Sequence, residues 1–344
     1  MSDRVGIVAV AQTKYEAGKA GWRESELVYE VVEQVLRETG LHYAEDRTGI
    51  DAAVTCSNDH WDGVTISDWM IAGVTGGHNR PAEKVAGDGA LAAYYAFIQI
   101  LSGHYDIVLV AAHTKESTTR KNIIENAAFD PVYHRLLGLD FLSAAALQAR
   151  RYMEKYGITA EQCAKVVVKS RKNGARNPYA QAQAELSVAD VLNSEMLAEP
   201  IRALDAKPGS DGACALIMAR EDKARRLTDR PIWISGAANY YDSYYLGDRD
   251  LADCESLVLA RNKACAMAGI KDPRKDIDLA EVGAEYSYQE LLWSEGLGFC
   301  GRGEGGRLID SGVTALDGAL PINPSGGMLA GNPTNVGGLV RVAE

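Results

Sequence analysis

The chain has 344 residues, 47% of them hydrophobic and 24% charged, which is ordinary for a globular protein with a sizeable core. Its formal net charge of −11 argues against nonspecific nucleic-acid binding, because phosphate contacts need clustered Lys and Arg side chains. No apolar run approaches the ~18 residues that cross a membrane. No leader-like segment precedes the first apolar run at Val5, so we expect a cytoplasmic protein.

The cysteines show no CxxC pair and no Cys/His cluster, so we expect free, buried thiols and no metal site in this chain. There are six of them: Cys56, Cys163, Cys214, Cys254, Cys265 and Cys300.

Strands and helices alternate in the first part of the chain. Residues 5–10 form a continuous apolar run typical of a buried strand, and residues 25–38 place Leu and Val on one helical face. After a second predicted strand at residues 49–57, a Gly-Asp-Gly turn at Asp88 leads into an Ala-rich helix over residues 90–101. The small side chains of this helix suit an element buried between sheets. A buried strand is predicted next, over residues 106–113.

A repeat relates this beginning to a later part of the chain. The predicted strand near Ile232 lies 227 residues after the one near Val5, and the predicted strand near Ile277 lies 227 residues after the one near Ile50. A helix is predicted between the strands near Ile232 and Ile277, as between those near Val5 and Ile50. Two pairs of predicted strands with the same offset indicate two similar α/β halves.

Three stretches resemble the thiolase superfamily, most closely its sterol carrier protein type. They are YGITAEQCAKVVVKSRKNGARNPYAQ from Tyr156, the stretch from Val188 to Ala219, and the C-terminal stretch with ELL and NPSGG. The resemblance implies a five-layer αβαβα sandwich of two similar halves and a dimer formed through the first half. It assigns residues 1–116 plus 200–228 to the N-terminal half, 117–199 to a loop domain and 229–344 to the C-terminal half.

The reacting residues of that family are replaced here. Its nucleophilic Cys aligns with Ala86, its His or Asn motif with Gly283, and the His of its GHP turn with Asn332; no nearby Cys can substitute. The family continues beyond residue 344 with one helix and two strands that include its acid/base Cys. We expect the recorded sequence to be cut short; the alternative is that a partner completes the sheet.

Polar residues near those positions are the candidate catalytic groups: Asp88, Glu285, Tyr286 and Asn332. A carboxylate and a phenol in an apolar pocket are suited to proton transfer in a retro-aldol or Claisen-type cleavage. The opposing interpretation is that Tyr286 and Tyr288 are core aromatics and Glu285 a solvated charge. The predicted substrate-binding residues are Ala86, His113, Tyr244, Tyr245, Gly283, Tyr288 and Ser325. Tyr244 and Tyr245 belong to a Tyr-rich segment at residues 239–245, which is equally typical of an interface patch. By the resemblance, Arg171 and Lys172 contact the phosphates of coenzyme A.

Two functions fit this pattern. The first is an enzyme that cleaves or forms carbon–carbon bonds in acyl-CoA thioesters without a Cys acyl-enzyme. The second is a non-catalytic subunit of a larger thiolase complex. The resemblance also implies a homodimer, and a small zinc-ribbon/OB-fold protein or a second thiolase subunit as a partner.

Overall fold

The computed structural model describes residues 4–43 and 49–344. Its strands are β1 Val5–Gln12, β2 Ala52–Cys56, β3 Ala82–Val85, β4 Ile107–Lys115, β5 Met196–Ala198, β6 Ile201–Arg202, β7 Asp211–Arg220 and β8 Ile232–Trp233.

The α-helices vary from one turn to more than four. They are α1 Glu24–Thr39, α2 Asp59–Asp62, α3 Gly89–Leu101, α4 Lys121–Ala127, α5 Phe141–Tyr156, α6 Ala160–Gly174, α7 Val188–Leu192, α8 Glu221–Leu227, α9 Glu255–Ala268, α10 Pro273–Asp276, α11 Ser287–Gly296, α12 Gly305–Asp310 and α13 Gly337–Ala343. None of the helices in the described ranges is long and apolar enough to span a membrane.

The chain divides into two compact units, each of which is discontinuous in sequence. Unit 1 consists of the described parts of Met1–Thr119, together with Gly209–Ala237 and Asn332–Glu344. Unit 2 consists of Arg120–Pro208 and Ala238–Gly331. The domain boundaries expected from the resemblance stay predictions.

Unit 1 is built on a six-stranded mixed sheet in the order β3-β2-β4-β7-β1-β8. Strand β2 is parallel to both β3 and β4, and the other pairs are antiparallel. Every residue of β4 is buried, which fits the apolar run that fills its first six residues, Ile107 to Ala112. Helix α1 buries its Leu and Val stripe on one face of the sheet, and α3 packs on β2 and β4.

Helices α3 and α13 approach each other closely, and small residues permit this. A Cβ atom added to Gly89 would lie 2.5 Å from the Cβ atom of Leu339 and 3.1 Å from the carbonyl oxygen of Asn335. The Gly89 N–H donates to that same Asn335 carbonyl at 2.7 Å. The predicted small-residue helix therefore exists and packs on α13.

Unit 2 is mainly helical, and the hairpin of β5 and β6 is its one sheet in the described part of the chain. Its core joins α5, α6 and α11 through buried residues such as Tyr152, Val167 and Leu291. Tyr286 and Tyr288 belong to this core cluster at the start of α11.

The repeat prediction is only partly realised. Ile232 and Trp233 do pair with β1 at the sheet edge, but the strand is two residues long. The strand predicted over residues 276–284 is wrong: Asp276 ends α10, and only Ala280 forms a bridge, to Ile322. The reason is a tertiary contact, because the Val282 N–H donates to the side chain of Asn323, 41 residues later, instead of to the backbone of a neighbouring strand.

Candidate functional site

In unit 1, the turn before α3 is organised by the carboxylate of Asp88. One of its oxygens accepts the Ala90 N–H at 2.8 Å, and the other accepts the Gly338 N–H at 3.1 Å. Asp88 thus caps α3 and also bonds the first turn of α13. Ala86 lies exposed two residues before Asp88.

A cysteine that is distant in sequence lies beside this turn. The Sγ atom of Cys56, at the end of β2, is 3.5 Å from the Asn335 carbonyl oxygen. Burial and the charge of Asp88 raise the pKa of the Cys56 thiol well above its usual range, against a hydrogen bond to Gly87. A Cys therefore does lie near the Ala86 turn, but its raised pKa keeps the thiol protonated at neutral pH; that no nearby Cys substitutes for the nucleophile stays a prediction.

His113 is completely buried at the end of β4, and its Nε2 atom lies 3.4 Å from the carboxylate of Asp62. Neither ring nitrogen has a hydrogen-bond partner within the described ranges. Asn332, also in unit 1, is buried, and its side-chain oxygen accepts a 2.8 Å bond from Arg341 of α13. Asn332 precedes α13, which begins at Gly337.

In unit 2, three predicted site residues line one cleft of about 210 Å³: Glu285, Tyr286 and Tyr288. The other lining residues come from α5, from the segment before α9 and from α11; they are Phe141, Ala144, Ala145, Gln148, Leu246, Arg249, Leu251 and Gln289. The cleft therefore combines an apolar wall with a few polar groups, as small-molecule sites do.

The Tyr pair is held in the cleft by ring stacking and by a hydrogen bond. The rings of Tyr286 and Tyr288 stack with centroids 6.5 Å apart, and the Tyr288 hydroxyl donates to Gln148 at 2.8 Å. Tyr286 is 5% exposed and immediately precedes α11. Burial, with the charges of Glu285 and Glu125, raises the pKa of Tyr286 well above its usual range, so it stays a proton donor.

Glu285 is positioned through its backbone. Its N–H donates to the Gln289 side chain at 2.9 Å, and its carbonyl accepts the Lys207 N–H at 2.7 Å. These two bonds fix the backbone of Glu285 where this residue lines the cleft.

The sequence analysis missed Glu125 of α4. This side chain is 3% exposed, and Lys121 one turn earlier lies 3.5 Å from its carboxylate. Burial, with the nearby charge of Glu285, raises the pKa of Glu125 to about 7. A Glu on a short polar helix carries no sequence signal for this, because the burial comes from residues distant in the chain.

Other predicted residues have structural partners or lie at the surface. Ser325 donates through its N–H and its hydroxyl to Glu281, at 2.8 and 2.9 Å, while Gly283 is exposed. Tyr244 and Tyr245 are exposed and pack edge to face.

The two residues expected to contact coenzyme A are both on α6 but differ in burial. Lys172 is exposed, whereas Arg171 is buried and its Nε atom has no partner in the described ranges. Burial lowers the pKa of Arg171. No cluster of three potential metal ligands occurs among the residues that the structure describes.

Comparisons with known proteins find similar sequences over most of the chain. A family model described as "Thiolase C-terminal domain-like" matches residues 238–344. An acetyl-CoA acetyltransferase of Methanothermobacter thermautotrophicus is 34% identical, over 99% of this chain and 89% of the relative. The 17-hydroxy-3-oxo-4-pregnene-20-carboxyl-CoA lyase of Mycobacterium tuberculosis is 29% identical, over 96% and 87% of the two chains.

Among solved structures, the "Ltp2-ChsH2(DUF35) aldolase" is similar with a TM-score of 0.81 and 26% identity. The likeness covers 95% of this chain and 85% of that chain.

Proposed function

Because the chain belongs to the thiolase superfamily, we propose that it acts on acyl-CoA thioesters by cleaving or forming a carbon–carbon bond. The predicted α/β thiolase fold is confirmed. The names of the two relatives, an acetyltransferase and a carboxyl-CoA lyase, support acyl-CoA chemistry at a carbon–carbon bond.

The buried phenol of Tyr286 in one cleft with Glu285 is the observation that carries the proposal. A buried, protonated phenol can donate to a thioester oxygen, where charge develops as an enolate forms. A carboxylate beside it can accept a proton. Both groups are needed for cleavage of a β-hydroxyacyl thioester by retro-aldol chemistry.

The proposed cleavage needs only the substrate and one carboxylate, which carries the proton from oxygen to carbon. Glu285 removes the proton of the β-hydroxyl, the Cβ–O bond becomes a carbonyl, and the Cα–Cβ bond breaks. Its electron pair remains on Cα as the enolate of the thioester, stabilised by the hydrogen bond from Tyr286. Glu285 then returns the proton to Cα. No further reactant is needed, and the reverse sequence forms the bond.

We also propose that no Cys acyl-enzyme forms. Ala86 stands at the position of the family nucleophile, and the neighbouring Cys56 is held as a thiol by burial. Asp88 and Asn332, in unit 1, remain predicted catalytic residues, and Arg171 and Lys172 remain the predicted partners of the coenzyme A phosphates.

The test is to incubate the purified protein with β-hydroxyacyl-CoA thioesters without free coenzyme A and to follow products by mass spectrometry. We expect a shortened acyl-CoA and a carbonyl compound in equal amounts, with no acyl group on any cysteine. Cleavage that requires free coenzyme A, together with an acylated cysteine, would contradict the proposal.

A second candidate function is a non-catalytic subunit, and the capping role of Asp88 beside Ala86 favours it. The partner would be a small zinc-ribbon/OB-fold protein or a second thiolase subunit, and the chain itself would form a homodimer. The name "Ltp2-ChsH2(DUF35) aldolase" describes an aldolase with two components. If this function is correct, Tyr286→Phe leaves the activity of the assembled complex intact.

A further inference from the structure

Arg249 lines the Tyr286 cleft and has an unused hydrogen-bond donor. Its Nε atom is buried and has no hydrogen-bond partner in the described ranges of the chain. Its ion pair is loose, with 3.7 Å between its Nη1 atom and the carboxylate of Asp242. Arg151 of the same unit differs, because its Nε and Nη2 atoms donate to Asp250 at 2.9 and 2.8 Å.

The surroundings make this unused donor costly to the folded protein. The acceptor side chains of the cleft, Gln148, Glu285 and Gln289, do not bond this donor, and the apolar side chains offer no acceptor. A buried donor without an acceptor is unfavourable, and a guanidinium presents its N–H groups as a planar fork that matches two oxygen lone pairs. An oxygen on a bound molecule would satisfy Arg249.

The size of the cleft limits what enters it. A volume of about 210 Å³ is below the ~300–1,000 Å³ typical of sites for whole drug-sized ligands, so the cleft accommodates part of a larger molecule. Under the proposed function that part is the acyl chain.

We propose that Arg249 determines acyl specificity by binding a second oxygen function, a carboxylate or a carbonyl, on the acyl chain of the thioester. The inference rests on the proposed function only for the identity of the thioester. Glu285 and Tyr286 act at the reacting carbons, and Arg249 orients the chain through an oxygen beyond the thioester carbonyl.

Equilibrium binding tests this without turnover. Isothermal titration calorimetry would compare three four-carbon thioesters: butyryl-CoA with no further oxygen, acetoacetyl-CoA with a carbonyl, and succinyl-CoA with a carboxylate. We expect at least one oxygenated thioester to bind ~10-fold or more tightly than butyryl-CoA, and the tighter of the two identifies the group. In Arg249→Gln the preference should disappear, and in Arg151→Gln it should remain.

Arg249→Lys retains the charge but loses the fork, so it should recover only part of the preference. Thermal unfolding would verify that each variant is folded, and Arg249→Lys replaces Arg249→Gln if the latter is not. Equal binding of all three thioesters, no binding of any, or a preference that survives loss of Arg249 would overturn the inference. A preference that depends on Arg249, with no cleavage of β-hydroxyacyl thioesters, would uphold it and refute the proposed function.

Discussion

In the turn around Asp88, both carboxylate oxygens accept backbone N–H groups, whereas in the cleft around Tyr286 the buried Nε–H of Arg249 has no partner among the described residues. The two regions lie in different units and both contain predicted catalytic residues. The polar groups of the first region bond the protein itself, whereas the second region has a buried donor that does not.

The difference separates residues that hold the fold from residues available to a substrate. A carboxylate bonded to two helix ends contributes to stability, and removing it exposes those N–H groups. A buried donor without an internal acceptor adds little to stability but can bond a ligand. Substitutions in the Asp88 turn should therefore lower the free energy of unfolding, and substitutions in the cleft should lower turnover.

The largest effect is expected for Tyr286→Phe. Loss of the hydroxyl should lower kcat by at least ~10²-fold, which is about 2.7 kcal/mol of transition-state stabilisation. The free energy of unfolding should stay nearly constant, because Phe retains the ring that packs in the core of unit 2. Steady-state kinetics and urea unfolding would measure both, with Tyr29→Phe on the exposed face of α1 as the control. A large loss of stability with normal turnover would reverse the assignment.

The next effect concerns the pH dependence of stability. The folded protein holds the proton of Glu125 more tightly than the unfolded chain, since its pKa rises from 4.5 to about 7. Wild-type stability therefore falls as pH rises from about 4.5 to 7. In Glu125→Gln this loss is absent, so the variant should gain about 2 kcal/mol relative to wild type between pH 5 and 8.

Urea unfolding at several pH values would measure that gain. Glu161→Gln, at an exposed position of α6, should show none. A parallel pH profile for wild type and Glu125→Gln would mean that Glu125 ionises normally in the folded state.

Gly89→Ala should cost about 2 kcal/mol in the free energy of unfolding. The new methyl group would meet the Leu339 side chain at 2.5 Å and backbone atoms of Leu339 and Asn335 near 3 Å, so the two helices must separate. The control is Gly73→Ala, where an added Cβ atom meets nothing within 4 Å. Thermal or urea unfolding gives the difference, and equal stability of both variants would show that α3 and α13 are not tightly packed.

The smallest effect, about 1 kcal/mol, is expected for Asp88→Asn. An amide has one acceptor oxygen, so it can satisfy only one of the N–H groups of Ala90 and Gly338. Turnover should change less than in Tyr286→Phe. If Asp88 transfers protons, kcat instead falls ~10²-fold while stability changes little, and the two regions then share the chemistry.

Long apolar segments could be predicted well from the sequence. Helix α3 was expected over residues 90–101 and begins at Gly89, and β4 was expected over residues 106–113 and extends to Lys115. All of β4 is buried, and α3 buries one face that includes Ala92, Ala96 and Ile100. Glu285, Tyr286 and Tyr288 were also expected together, because they are neighbours in the chain and flank the start of one helix.

The amino-acid sequence by itself determined which segments are buried helices and strands, which family the motifs resemble, and that Ala86 stands where a nucleophile was expected. Tertiary structure alone decided that Cys56 lies beside Gly87, that Glu125 is buried, and that Arg249 joins the Tyr286 cleft. It also decided that Val282 bonds the Asn323 side chain and does not join a strand. The physical reason is that periodicity reports how much of a segment is buried. The identity of a hydrogen-bond partner, and with it a pKa or an unused donor, depends on residues that only folding brings near.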